Sequence, residues 1–136
     1  MKTKILFVVM VVLTIASCNK YEEGPSLSLR SKKARLTGEW KADKFTLNGT
    51  DITSAFLASA GSDYTMHLDK DGAYHIHATF EDGGTWEFSD NKEELHMLSS
   101  VAGAEEEHFD IIKLKNKELW LRHTHDSEVY EYHYKK

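Results

Sequence analysis

The chain has 136 residues, with 17 lysines and arginines against 22 aspartates and glutamates and a formal net charge of −5 at pH 7. An acidic balance with no basic run argues against a nucleic-acid partner, because phosphate binding needs clustered Lys and Arg. The single cysteine leaves neither a disulfide nor a set of thiolate metal ligands. The first element is a leader: Lys2 and Lys4 precede an apolar run from Ile5 to Leu13, and small residues lead up to Cys18. That run is too short to span a bilayer.

The end of the leader, Ile15-Ala16-Ser17-Cys18, resembles the bacterial lipobox. The resemblance implies that residues 1–17 are a lipoprotein signal peptide and that Cys18 becomes the lipidated first residue. Several acyl chains on one cysteine anchor a protein stably without a membrane-spanning helix. An ordinary signal peptide with a chance cysteine is the alternative, and it fits a lone thiol in an oxidising compartment less well. Lys20, Glu22 and Glu23 are similar to the export tags of surface lipoproteins in Bacteroidetes-type bacteria, which implies the outer membrane and leaves its surface or periplasmic side open. Residues 18–33 hold the only proline and a serine-rich stretch, and read as a flexible tether. Removing Lys2 and Lys4 with the leader takes the net charge from −5 to −7.

Residues 34–136 are long enough for one core and one domain. "EWKADKFTL" (39–47) is the first expected strand, followed by a turn at "NGTD" and a short helix from Thr53 to about Ala60, capped by Thr53 or Asp51. "DYTMHLD" and "AYHIHATF" alternate around the tight turn "DKDG". "EDGG" turns the chain into "TWEFSD", "DNKEE" into "LHMLSS", and an acidic connection into "HFDIIKLK". "NK" and "DS" then turn it into "ELWLRHTH" and "EVYEYHYK". The fold class is all-β: about eight antiparallel strands in up-and-down order, with one short helix after the first. Closure into a small barrel removes the edges that an open meander would expose.

From Leu36 to Lys136 the chain resembles the lipocalin-like domains of secreted and lipid-anchored bacterial proteins. The resemblance rests on "LTGEW" with Gly38 and Trp40, "DGAY" at 71–74, "GTWEF" at 84–88 and "IIKLKNKELWL" at 111–121. It implies a small calyx for a hydrophobic or amphipathic ligand rather than a catalyst. Small relatives often have reduced cavities, so a structural or interaction protein of the envelope with a filled barrel, bound to another envelope protein, is the alternative.

Two-residue hairpins fix which residues face each other. With Asn116 and Lys117 at one turn, Leu114 faces Leu119, Ile112 faces Leu121, Asp110 faces His123 and His108 faces His125. With Asp126 and Ser127 at the next, His125 faces Glu128, His123 faces Tyr130, Leu121 faces Tyr132 and Leu119 faces Tyr134. His108, Asp110, His123, His125, Glu128 and Tyr130 thus share one face at the expected open end. Opposed Cβ atoms about 5 Å apart let such imidazoles and a carboxylate share a Zn²⁺. Contacts to a polar ligand, or a plain solvated strand end, explain the same pattern. His67, His75 and His77 form a second candidate metal patch, expected on the outer face because Tyr64, Met66, Tyr74 and Ile76 claim the inside. His96 and His133 have no expected company.

Trp40, Trp86, Phe88, Tyr130, Tyr132 and Tyr134 either line a cavity or fill the interior. Phe109, Ile111, Trp120 and Val129 fall on the opposite face, so either a bulge shifts one strand or an apolar strip marks a partner surface. Nucleophile motifs, phosphate-cradling glycine loops and metalloprotease spacing are all missing from the sequence. An enzyme is therefore not expected. The expected function is a lipid-anchored binding module, with a histidine-rich metal-binding module as a further alternative.

Overall fold

A computed structural model describes residues 30–136; the leader, Cys18 and the tether as far as residue 29 lie outside the described residues. The elements are helix α1 (Lys32–Leu36), strand β1 (Gly38–Leu47), the short β2 (Thr50–Asp51), helix α2 (Thr53–Ala60), and seven further strands. These are β3 (Thr65–Leu68), β4 (Ala73–His77), β5 (Glu81–Phe88), β6 (Glu94–Ser99), β7 (Glu107–Leu114), β8 (Glu118–His125) and β9 (Glu128–Lys135). From β3 onward each strand pairs antiparallel with the next; β1 pairs with β3 on one side and β9 on the other, which closes an eight-stranded barrel. The expected all-β up-and-down barrel is the one observed.

The hairpins follow from their turn residues. Asp126 and Ser127 have φ of 48° and 69°, the left-handed pair that matches the twist of β8 and β9. The register there is the expected one, with His123 facing Tyr130 and Leu121 facing Tyr132. At the β3–β4 turn Asp71 accepts the Ala73 N–H at 3.1 Å, and His67 faces His75 as expected. Helix α2 begins where expected, with Ile52 at the N-cap position; the Asp51 carboxylate just before it accepts from the Thr53 N–H at 2.9 Å and the Thr53 hydroxyl at 2.6 Å. That hydrogen bonding holds the Asp51 carboxyl below its usual pKa.

Three features depart from the sequence reading. "EDGG" is not a turn: Glu81 to Gly84 lie inside β5, and the reversal comes earlier, where the Ala78 N–H donates to the Phe80 carbonyl. Second, α1 was not expected, and it opens at Lys32 within the stretch read as tether. It closes one end of the barrel. Leu36 is fully buried, its carbonyl accepts from Trp40 Nε1 at 2.7 Å, and Arg35 donates to the Leu114 carbonyl at 2.8 Å. Lys136 Nζ ties the same end, donating to the carbonyls of Arg35 and Thr37 at 2.9 and 2.7 Å. Arg35→Met should lower stability by about 2 kcal/mol in chemical denaturation, because a charged hydrogen bond to a buried carbonyl is lost.

The third departure is a bulge in β7. Leu114 faces Leu119 as expected, but the register slips between Ile111 and Lys113, so Ile111 faces Leu121 and Asp110 faces Arg122. Ile111 and Phe109 therefore turn inward and join the core. This is the bulge that the inward-or-outward conflict on that strand allowed for. Trp120 stays outside, stacked on His133 at 3.9 Å with Lys113 Nζ 3.6 Å from its ring centre.

Candidate functional site

The closed half of the barrel is filled by Leu36, Trp40, Leu68, Leu95, Leu114 and Leu119, all at most 1% exposed. Toward the other end the filling stops. A cavity of about 200 Å³ opens there, walled by Tyr64, Met66, Tyr74, Met97, Phe109, Leu121, Tyr132 and Tyr134, with Phe56 reaching in from α2. Phe80, 51% exposed, stands at its rim. A wider cleft of about 480 Å³ shares Tyr74, Asp82, Met97 and Glu107 with the cavity and runs outward past Ser99, Glu105, Glu106, His123 and His125. The site thus has an apolar chamber and a polar vestibule, joined at two carboxylates.

β5 and β6 hold the first carboxylate in place: Asp82 accepts from the Tyr74 hydroxyl at 3.1 Å and from Ser99 Oγ at 2.7 Å. Burial, and then its bond to Asp82, pushes the Tyr74 phenol up to about 12. Burial and the Glu107 charge push Tyr132 up to about 12 as well. Burial raises Tyr64, and it raises Tyr134 well above the usual phenol value. Among the described residues neither Lys nor Arg lines either space. The chamber therefore presents neutral phenols and aromatic faces beneath two negative charges.

Sequence reasoning found only part of this site. Tyr132 and Tyr134 line the chamber, Tyr130 stacks on Tyr132 and donates to Glu128 Oε2 at 2.8 Å, and Trp40 and Trp86 are core. Asp82 was hidden in the presumed turn "EDGG" and Glu107 in the presumed loop. Extending the alternation of Trp86 and Phe88 back through the glycines would have put Asp82 on the inner face.

The six-residue constellation does not assemble. The β7 bulge turns His108 and Asp110 to the outer wall, so Asp110 faces Glu94 and Arg122, and His108 faces His96. His123 and His125 remain at the mouth. His123 packs on Phe109 at 5.1 Å and donates from Nδ1 to the His108 carbonyl at 2.9 Å, while His125 lies 3.2 Å from Asp126. No Zn²⁺ ligand set forms there among the described residues. His67, His75 and His77 point outward, as expected, beside Asp69, Asp63 and Glu81. Glu81 holds the His77 imidazole above its usual pKa. Those three histidines form none of the clusters in which three donor atoms lie within 4.8 Å of one another. His96 and His133, expected to be alone, stack on His108 and Trp120 respectively.

The chain matches no protein-family model and no curated protein. Among solved structures it is similar to a lipocalin-like protein from Bacteroides uniformis, with a TM-score of 0.54 and 12% identity, over 75% of this chain and 98% of that one. At that identity the likeness concerns the fold, and the barrel described above is lipocalin-like.

Proposed function

We propose that the chain is a lipid-anchored, extracytoplasmic binding module for a small amphipathic ligand carrying a basic group, and that it catalyses no reaction. The observation that carries the ligand class is the joining of an aromatic chamber to Asp82 and Glu107 with, among the described residues, neither Lys nor Arg lining the site. Aromatic faces attract cations, and two carboxylates where the chamber meets the vestibule add to that attraction. An apolar body would fill the chamber among Met66, Phe109 and Leu121, leaving an ammonium at the carboxylates. The lipobox-like Cys18 and its leader support the anchored location, at the outer membrane.

The test compares 2-phenylethylamine with 3-phenylpropionate in calorimetric titration of the full-length chain held in lipid nanodiscs. The amine should bind at least about 10-fold more tightly, and Asp82→Asn with Glu107→Gln should remove most of that preference. Leu121→Trp, which fills the chamber, should abolish binding of both. Failure of either compound to bind would leave a filled barrel with an envelope partner as the better reading; preference for the carboxylate would reverse the ligand class.

A further inference from the structure

We propose that the outer wall of the barrel carries a site for one Zn²⁺ ion, held by His96 and His108 with Glu94 and Glu106. It is separate from the chamber, on the opposite face of β6 and β7. His96 and His108 are directly opposed across the two strands, a placement that sets their Cβ atoms about 5 Å apart. The donor atoms of Glu94, His96 and His108 all lie within 4.8 Å of one another. Glu94 Oε2 is 3.0 Å from His96 Nε2, and Glu106 Oε1 is 2.9 Å from His108 Nε2 and 3.7 Å from His96 Nδ1. Tetrahedral Zn²⁺ with bonds of about 2.0–2.1 Å needs donors roughly 3.3 Å apart, so small rotations bring Glu94, His96 and His108 onto the ion, while Glu106, beside the other His96 nitrogen, swings to become the fourth ligand.

The site combines one anchored ligand with one that can swing. The His96 side chain is 18% exposed and that of His108 is 55% exposed. The two rings stack at 3.9 Å and 10°, which aims their nitrogens side by side. Metal binding must tilt the His108 ring so that the lone pairs converge, and its exposure leaves room for that. Glu87 faces His96 from β5 and forms a second triad with His96 and Glu106, so carboxylates flank the imidazoles on both sides. A divalent cation there offsets crowded negative charge, and two imidazoles with carboxylates suit zinc rather than Ca²⁺ or Mg²⁺. The opposed pair His67 and His75 differs: Asp69 lies beside both, but the three are not among the groups whose donor atoms all come within 4.8 Å of one another.

The proposal is tested by calorimetric titration of the metal-stripped full-length chain with ZnCl₂, in the same nanodiscs. One saturable site per chain is expected. His96→Ala and His108→Ala should each weaken it at least about 10-fold, Glu94→Gln should weaken it less, and His75→Ala should leave it unchanged. The His108 side chain is exposed, so its variant keeps the fold, which circular dichroism checks independently. Absence of saturable binding would overturn the proposal. So would a site that survives both the His96 and His108 substitutions, or one that weakens equally with His75→Ala, which would mark adventitious capture by surface histidines.

Discussion

Gly84→Val is expected to lower the stability of the chain by at least about 3 kcal/mol, at the upper end of overpacking effects. Gly84, inside β5, pairs with Ser99 at the end of the β5–β6 ladder, and a Cβ built on it would overlap the Leu98 carbonyl. Backbone cannot yield as a flexible side-chain tip can, so the strands must part around Asp82 and Ser99, the pair that positions the mouth carboxylate. For a domain of this size the change corresponds to a melting-point drop of roughly 10 °C or more. Gly49→Ala is the control. Its φ is 81° but nothing lies within 4 Å of the added Cβ, so only backbone strain of about 1 kcal/mol is expected. Equal melting points for the two variants would refute the close-approach explanation.

Alkaline unfolding is expected to be steep, and to begin before the buried phenols ionise in the folded chain. Below pH 10 the tyrosines are protonated in both states, so burial of Tyr64, Tyr74, Tyr132 and Tyr134 carries no proton linkage. Above pH 10 phenols in the unfolded chain lose protons, while Tyr74 and Tyr132 hold theirs to about 12. Unfolding then releases protons, and stability falls as pH rises from 10 toward 12. For Tyr132 alone a two-unit rise corresponds to on the order of 2.7 kcal/mol. Phenolate absorbance followed against circular dichroism should show an exposed class, with Tyr130 raised somewhat by its bond to Glu128, titrating while the chain is folded, and a second class appearing only as the barrel opens. Tyr132→Phe should flatten the slope of stability against pH. A folded chain in which every phenol titrates near pH 10 would contradict the buried chamber.

The contrast between Gly84 and the histidines shows which features the sequence reveals. Two-residue turns with left-handed residues fix their neighbours' register, which is why every pairing of β8 with β9 could be read in advance. The glycine pair at 83–84 could not be read, because glycine serves a tight turn and a close strand approach equally well. The bulge in β7 left one trace only, the apolar Phe109 and Ile111 falling on the outer face of an unbulged strand. Ile111 and Ile112 are both buried, so hydrophobicity alone does not say which of them faces Leu121. His96 and His108 meet across a longer connection than a hairpin turn, beyond the reach of turn arithmetic. Helix α1 has only two apolar residues, Ala34 and Leu36, and its burial comes from tertiary contacts with Trp40 and Leu114.

Helix α1 also gives the barrel a direction. The chain enters β1 from the sealed end, where Leu36 and Lys136 cover Trp40, and the vestibule with Asp82 and Glu107 lies at the far rim. Any tether running back from Ser31 leaves from the base. Solute therefore reaches the chamber from the rim opposite α1, without passing the end at which the chain enters the barrel.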